Sequence, residues 1–129
     1  MTRPFTDIHS GETAKEKIYS GVKKVSDVVG STMGYRGNLV LLETSGGLPK
    51  PTKDGWEVAE SIFLEDRLEA LACESAKEAA RKTVENAGDA TTATMVLLEA
   101  FLKHSFEAID KDASQITIAS NIEKSKKLI

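Results

Sequence analysis

Aromatic residues are scarce in this chain: four Phe, two Tyr and one Trp among 129 residues. Any core must therefore rest on Ala, Val, Ile and Leu. A single cysteine, Cys73, excludes an internal disulfide and argues against a zinc site. It sits in an Ala-rich helical pattern, so a buried small hydrophobe is expected there rather than a reactive thiol. No apolar run approaches the roughly 20 residues needed to cross a bilayer. The N-terminus MTRPFTDIHS lacks the apolar stretch of a signal peptide, and a cytoplasmic protein is expected. The formal net charge of -3 gives no electrostatic case for nucleic acid or a membrane surface. Small basic groups such as Lys23-Lys24 and Lys124 to Lys127 read as solvated helix faces. No G-x-x-x-x-G-K-[ST] is present, which excludes a P-loop, and no internal repeat is visible.

What is there is one domain's worth of chain, 40% hydrophobic and 29% charged. Residues 5–9 predict a short strand. Thr13 and Glu16 read as a capping box opening a helix. Ala14, Ile18, Val22, Val25 and Val29 then recur at helical spacing, and Gly30 fits the end. After a polar loop over 31–38, residues 39–43 predict a strand that returns over 48–52 through Ser45-Gly46-Gly47. Pro49 and Pro51 lack amide donors, which confines the returning arm to an edge. A two-stranded ribbon is marginal alone and calls for a partner sheet. Residues 56–62 predict one or two helical turns. A long helix follows over 65–86, with Leu68, Leu71, Ala72, Ser75, Ala79 and Thr83 as its narrow packing stripe, stopped by Asn86-Ala87-Gly88. The next helix starts near Ala90 and carries Met95, Val96, Leu97, Leu98, Ala100, Phe101 and Leu102. Apolar on nearly every side, it is expected to be the buried centre, with His104 a core or boundary residue. Asp112 and Gln115 suggest a last cap, and Ile118, Ile122, Ser125 and Ile129 a last helical face. That face runs to the chain end without a stop signal, as if the chain were cut inside a helix and a domain.

Three segments between these elements share Gly, Thr and Asp: Thr32-Met33-Gly34, Thr52-Lys53-Asp54-Gly55 and Gly88-Asp89-Ala90-Thr91-Thr92. The third opens the apolar helix, where free amides, the positive end of the dipole and two hydroxyls suit an anion. Asp89 beside them is a hard oxygen ligand of the kind Mg²⁺ takes. An Asp or Thr before a helix also serves as a plain cap, so the segment alone does not decide.

The order of segments is more specific. TMGYRGN, a hairpin, TKDG, IFLED, a long helix and AGDATTATMVLL resemble the N-terminal equatorial segment of group I (GroEL-type) chaperonins, which read TLGPKGRNV, TKDG, IELED and AGDGTTTATVL. The likeness runs over 5–129 almost without gaps. It implies a mainly α, chaperonin equatorial-domain-like helical bundle with a short β-hairpin and an N-terminal edge strand. Residues 1–129 would then be the N-terminal portion of the ATP-binding equatorial domain, with hinge and apical domains absent. The resemblance implies ATP or ADP with Mg²⁺ as ligands. Thr32, Met33 and Gly34 match the family's first phosphate loop, and Lys53 and Asp54 lie where its TKDG pair meets the terminal phosphates. Asp54 would help position the attacking water, and Asp89 matches the Mg²⁺ ligand. Ala90, Thr91, Thr92 and Ala93 stand where GTTT wraps the phosphates. Residues 39–52 match the ribbon that pairs with a neighbouring subunit in a homo-oligomeric ring. Unfolded clients would be reached only through the missing domains.

The implied function is that of an ATP-dependent chaperonin subunit, whole or truncated. Hydrolysis by this stretch alone is expected to be slow or absent, because the family's second catalytic Asp lies downstream. The departures are Ala90 for Gly, Ala93 for Thr and Tyr35 for Pro. They suggest a divergent, virus-encoded member with altered nucleotide handling. The alternative is a freestanding chaperonin-derived helical interaction protein that no longer binds nucleotide. Trp56 is expected to anchor the adjacent loop or to lie against an adenine.

Overall fold

Small residues at every crossing let three long helices meet closely and carry the fold. The computed structural model describes residues 9–127. In chain order it contains α1 (Gly11–Gly30), β1 (Val40–Leu42), β2 (Lys50–Thr52), α2 (Gly55–Ser61), α3 (Arg67–Ala87), α4 (Thr91–Ile109) and α5 (Gln115–Lys126). The strand expected over 5–9 lies outside the described residues but for His9, and so do Leu128 and Ile129.

Helix α1 packs on both α3 and α4. Val22, Val25 and Val29 of α1 meet Ala72, Cys73, Ala76 and Ala80 of α3, Val58 and Ala59 of α2, and Met95 of α4. Cys73 is buried as expected. The capping box does not form. The helix opens three residues earlier, with Ser10 rather than Thr13 in the N-cap position and no side-chain cap. Gly11, at φ +72°, supplies an earlier break in the backbone, which leaves Thr13 and Glu16 as exposed residues of the first turns.

Asp66 caps α3. Its Oδ1 accepts from the amides of Leu68 and Glu69 at 3.1 and 3.0 Å, and its Oδ2 accepts from Lys17 Nζ at 2.8 Å. The Lys17 ammonium and the Glu69 amide hold this carboxyl well below its ordinary value, at about 2. Because the folded value lies below the unfolded one, the contribution is full above pH 4 and disappears as pH falls through 2. The gap in melting temperature between wild type and Asp66→Asn is therefore expected to be constant near neutrality and to close between pH 4 and 2. A gap independent of pH would mean that the charge does not contribute.

The buried face of α3 differs from the expected stripe. Of the six stripe residues only Ala72 is buried; Leu71 is 60% exposed, and Ser75 is exposed too. The core takes Cys73, Ala76 and Ala80 instead, because alanine and cysteine allow closer approach to α1 than leucine does. Leu68, Leu71 and Ala79 face an open apolar groove of about 400 Å³ shared with Ile18, Leu98 and Leu102.

Helix α4 is not a buried centre. Only Thr91 and Met95 are buried, while Leu97 and Phe101 are 56% and 53% exposed. Among the described residues it is covered by α1, α2 and α3 on one side only. His104 is exposed on its surface, Nδ1 3.4 Å from Glu107, rather than in a core. Helix α5 buries none of its residues. Ser114 precedes it without a side-chain cap, and Asp112, expected as the cap, sits in a turn at φ +64°.

The hairpin pairs antiparallel, Val40 with Thr52, Leu41 with Pro51 and Leu42 with Lys50. Both strands are edges of a two-stranded sheet, which accommodates Pro51. Leu39, Leu41 and Leu48 are exposed along it. Among the described residues, no buried side-chain nitrogen or oxygen lacks a hydrogen-bond partner. No described helix is long and apolar enough to cross a membrane.

Candidate functional site

One cavity of about 650 Å³ lies where the end of α1, the loop after β2 and the turn between α3 and α4 meet. It is lined by Thr32, Met33, Gly34, Lys53, Asp54, Asp89, Ala90, Thr91, Thr92 and Ala93, together with Gly55, Trp56, Val84 and Gly88. All ten residues singled out in the sequence therefore face one space, although up to 61 positions separate them (Thr32 to Ala93).

Each wall has a local cause. At the end of α1, Thr32 and Met33 donate their amides back to Val29 and Gly30, and the buried Thr32 hydroxyl donates to Val29 O at 2.7 Å. Gly34, at φ +79°, turns the chain, and the Gly37 amide closes the turn on Gly34 O at 3.0 Å. A Cβ on Gly37 would lie 2.0 Å from Thr32 O, so the loop can only be this tight with glycine there. Met33 is 53% exposed and Tyr35 98%.

On the second wall, Asp54 caps α2 by accepting the Glu57 amide at 2.9 Å. Gly55 then abuts the start of α4: a Cβ on it would lie 2.2 Å from Thr92 Oγ1. Half-buried Trp56 packs at this rim, between the cavity and a neighbouring one lined by Phe63, Lys77 and Arg81.

The third wall is the break between α3 and α4. Gly88, at φ +79°, ends α3 with its amide on Val84 O at 2.7 Å. The Asp89 carboxylate accepts the Ala90 amide at 2.6 Å. Ala90 precedes α4 at φ +82°, ψ 22°, and has no side chain able to cap. The first amides of α4 thus point outward without helical acceptors, beside buried Thr91 and half-buried Thr92.

The left-handed backbone at Ala90 is the conformation in which a Cβ is strained, by roughly 1–2 kcal/mol. Ala90→Gly is expected to stabilise the chain by about 1 kcal/mol, raising the melting temperature by roughly 4 °C. A lower melting temperature would show that Ala90 is not held at positive φ.

As for a metal, no group of three or more His, Cys, Asp or Glu among the described residues forms a ready cage. One or two carboxylates on an open, hydroxyl-lined cavity suit a hard cation that brings water and phosphate oxygens as its other ligands. The donor set fits Mg²⁺ carried by a phosphate compound and fits a stand-alone metal centre poorly.

Residues not assigned from the sequence also hold this site. Thr52 accepts the Asp54 amide at 3.0 Å, and Glu57 and Lys50 stand behind it. The D-x-x-E spacing of Asp54 and Glu57 was the available signal.

Comparison with known proteins decides the family. Residues 25–129 match the TCP-1/cpn60 chaperonin family. The chain belongs to that family. Its fold is equatorial-domain-like, and two crystal structures of a phage chaperonin match it. Both are of the chaperonin gp146 from the bacteriophage EL 2 (Pseudomonas aeruginosa), in the presence of ATP-BeFx. Crystal forms II and I give TM-scores of 0.70 and 0.69, each at 36% identity over 88% of this chain. This chaperonin segment spans 20% of the length of gp146. The likeness to a phage protein agrees with the divergence expected from Ala90, Ala93 and Tyr35.

Proposed function

We propose that this chain is the N-terminal portion of the equatorial domain of an ATP-dependent chaperonin subunit, and that its cavity binds a nucleotide's phosphates with Mg²⁺. The observation that carries this reading is the convergence of three distant loops on one cavity beside the open N-terminal turn of α4. The presence of ATP-BeFx in the gp146 crystals supports it.

In this reading the amides of 91–93 and the Thr91 and Thr92 hydroxyls donate to phosphate oxygens at the positive end of α4. Lys53 adds a positive charge from the facing wall. Asp89 would hold Mg²⁺, which when bound supplies neutralising charge to the phosphates. Asp54 has Oδ1 committed to the Glu57 amide, which leaves its second oxygen to orient a water. Ala90 and Ala93, where the family has Gly and Thr, remove one hydroxyl and strain the loop, so binding weaker than a typical member's is expected. Exposed Leu39, Leu41 and Leu48 support pairing of the hairpin with a neighbouring subunit. Client proteins would be handled by parts of the subunit other than these residues.

Calorimetric titration of the chain with ADP and ATP, with and without Mg²⁺, tests the reading. Saturable binding that needs Mg²⁺ is expected. No heat at millimolar nucleotide would overturn it.

A further inference from the structure

Gly55 has no local reason to be glycine. It is the first residue of α2, directly after the cap Asp54, and its φ is not in the left-handed region. In a helical turn alanine would be favoured over it. Space is what requires glycine here. A Cβ on Gly55 would lie 2.2 Å from Thr92 Oγ1, 3.5 Å from Thr92 Cβ and 3.3 Å from Val29 Cγ1. The Val29 methyl can yield by the small shift that contact needs. The Thr92 hydroxyl yields less easily, because a β-branched side chain is stiff at χ1.

The residues in this contact belong to three different walls of the cavity. Val29 stands at the end of α1, where its carbonyl accepts the Thr32 hydroxyl at 2.7 Å. Thr92 lies in the first turn of α4. Gly55 follows Lys53 and Asp54 on the loop after β2. The three walls thus meet at one bare Cα, and that contact sets how far Lys53 and Asp54 stand from the amides that open α4. A Cβ would push these two walls apart. Hydrogen bonds are made over roughly 2.7–3.2 Å, so walls parted by about 1 Å no longer both reach one phosphate chain.

We propose that Gly55 is a positioning residue: its missing side chain lets the Lys53–Asp54 loop close on Thr92 and gives the cavity the width at which both walls hold the same phosphates. The inference rests on the nucleotide reading and adds to it the residue that sets the spacing of that site.

The test is calorimetric titration of the whole chain with ADP and Mg²⁺. Gly55→Ala is expected to weaken binding roughly tenfold, the worth of about one ligand contact. A merely destabilised chain would instead show fewer binding sites at unchanged affinity. Thr92→Ser supplies the complement, since a lone γ-oxygen can turn away from a new Cβ. Because Thr92 is itself a candidate ligand, the affinity of Thr92→Ser serves as the reference for the double variant. Added to Thr92→Ser, Gly55→Ala is expected to cost less than about twofold, a coupling that independent sites do not show. The same loss in both backgrounds overturns the proposal. Should Gly55→Ala alone fail to fold, the double variant decides. It is expected to fold and to match the affinity of Thr92→Ser; one that stays unfolded, or binds roughly tenfold more weakly than that reference, counts against Gly55 as the spacer. Gly55→Ala that binds as tightly as wild type sinks this inference alone. A wild-type chain that binds no ADP sinks the nucleotide reading and this inference with it.

Discussion

Gly21→Ala is expected to destabilise the chain by about 2 kcal/mol and to lower its melting temperature by roughly 8 °C. Gly21 lies in the middle of α1 where that helix crosses α3. A Cβ there would stand 2.3 Å from Glu69 O, 2.9 Å from Glu69 Cα and 3.0 Å from Ala72 Cβ. Two of these atoms are backbone, on a part of α3 that cannot move cheaply. Asp66 caps it, and the Glu69 carboxylate accepts from Ser20 at 2.8 Å and pairs with Lys24. Relief requires α1 and α3 to part, which loosens Val22 and Val25 against Ala72, Cys73 and Ala76. Helix propensity acts in the opposite direction, favouring alanine over glycine by up to about 1 kcal/mol. Overpacking costs 1–3 kcal/mol or more, and the clash with backbone puts this site at the upper end, so the net sign is a loss. Gly30→Ala is the control: its Cβ would meet only a Val96 methyl, at 3.2 Å, which can yield. Urea denaturation of both variants decides the matter. Gly21→Ala as stable as wild type would mean that α1 and α3 are not in backbone contact.

The same crossing illustrates what was legible in the sequence. The existence of α1, α3 and α4 could be read from periodicity, and Gly88 announced the end of α3 because only a left-handed residue stops a helix that way. The side of α3 that is buried could not be read. Leu68 and Leu71 are the more apolar residues, but Ala76 and Ala80 let the backbones approach, and contact distance outweighed hydrophobicity. Leu97 and Phe101 marked α4 as a core helix by composition, while their exposure depends on which elements are present to cover them. The Thr13–Glu16 signature failed because Gly11 offered the backbone an earlier break. The site was legible by a different route. Nothing in the Gly, Thr and Asp segments taken singly separates a phosphate loop from a cap, and Asp54 is in fact both a cap and a wall of the cavity. The order of the segments carried the inference, since it encodes a topology that brings Thr32, Lys53 and Asp89 together. The Lys50–Glu57 pair and the bond from the Asp54 amide to the Thr52 hydroxyl stayed hidden, because a contact between a strand residue and the start of a helix has no linear signature.

Asp89→Ala is expected to weaken Mg²⁺-dependent nucleotide binding on the order of 100-fold, about 2.7 kcal/mol. A single charge-assisted contact is worth about 1.5–3 kcal/mol, and no group of three or more His, Cys, Asp or Glu among the described residues offers the metal another cage. The direction of the change without metal separates this role from a structural one. When Mg²⁺ is chelated, Asp89 is an uncompensated negative charge beside the phosphates, so removing it is expected to leave nucleotide affinity equal or slightly higher. A structural defect would weaken binding under both conditions. Fold stability should change little: Asp89 is exposed and its bond in the chain is to the Ala90 amide, which water can satisfy in its absence. Asp89→Asn keeps that acceptor but is a poor ligand for Mg²⁺, and it should follow Asp89→Ala in affinity while matching wild type in melting temperature. If Asp89→Ala binds the nucleotide as tightly as wild type in the presence of Mg²⁺, Asp89 is only the residue that shapes the turn into α4, and the metal must be held elsewhere.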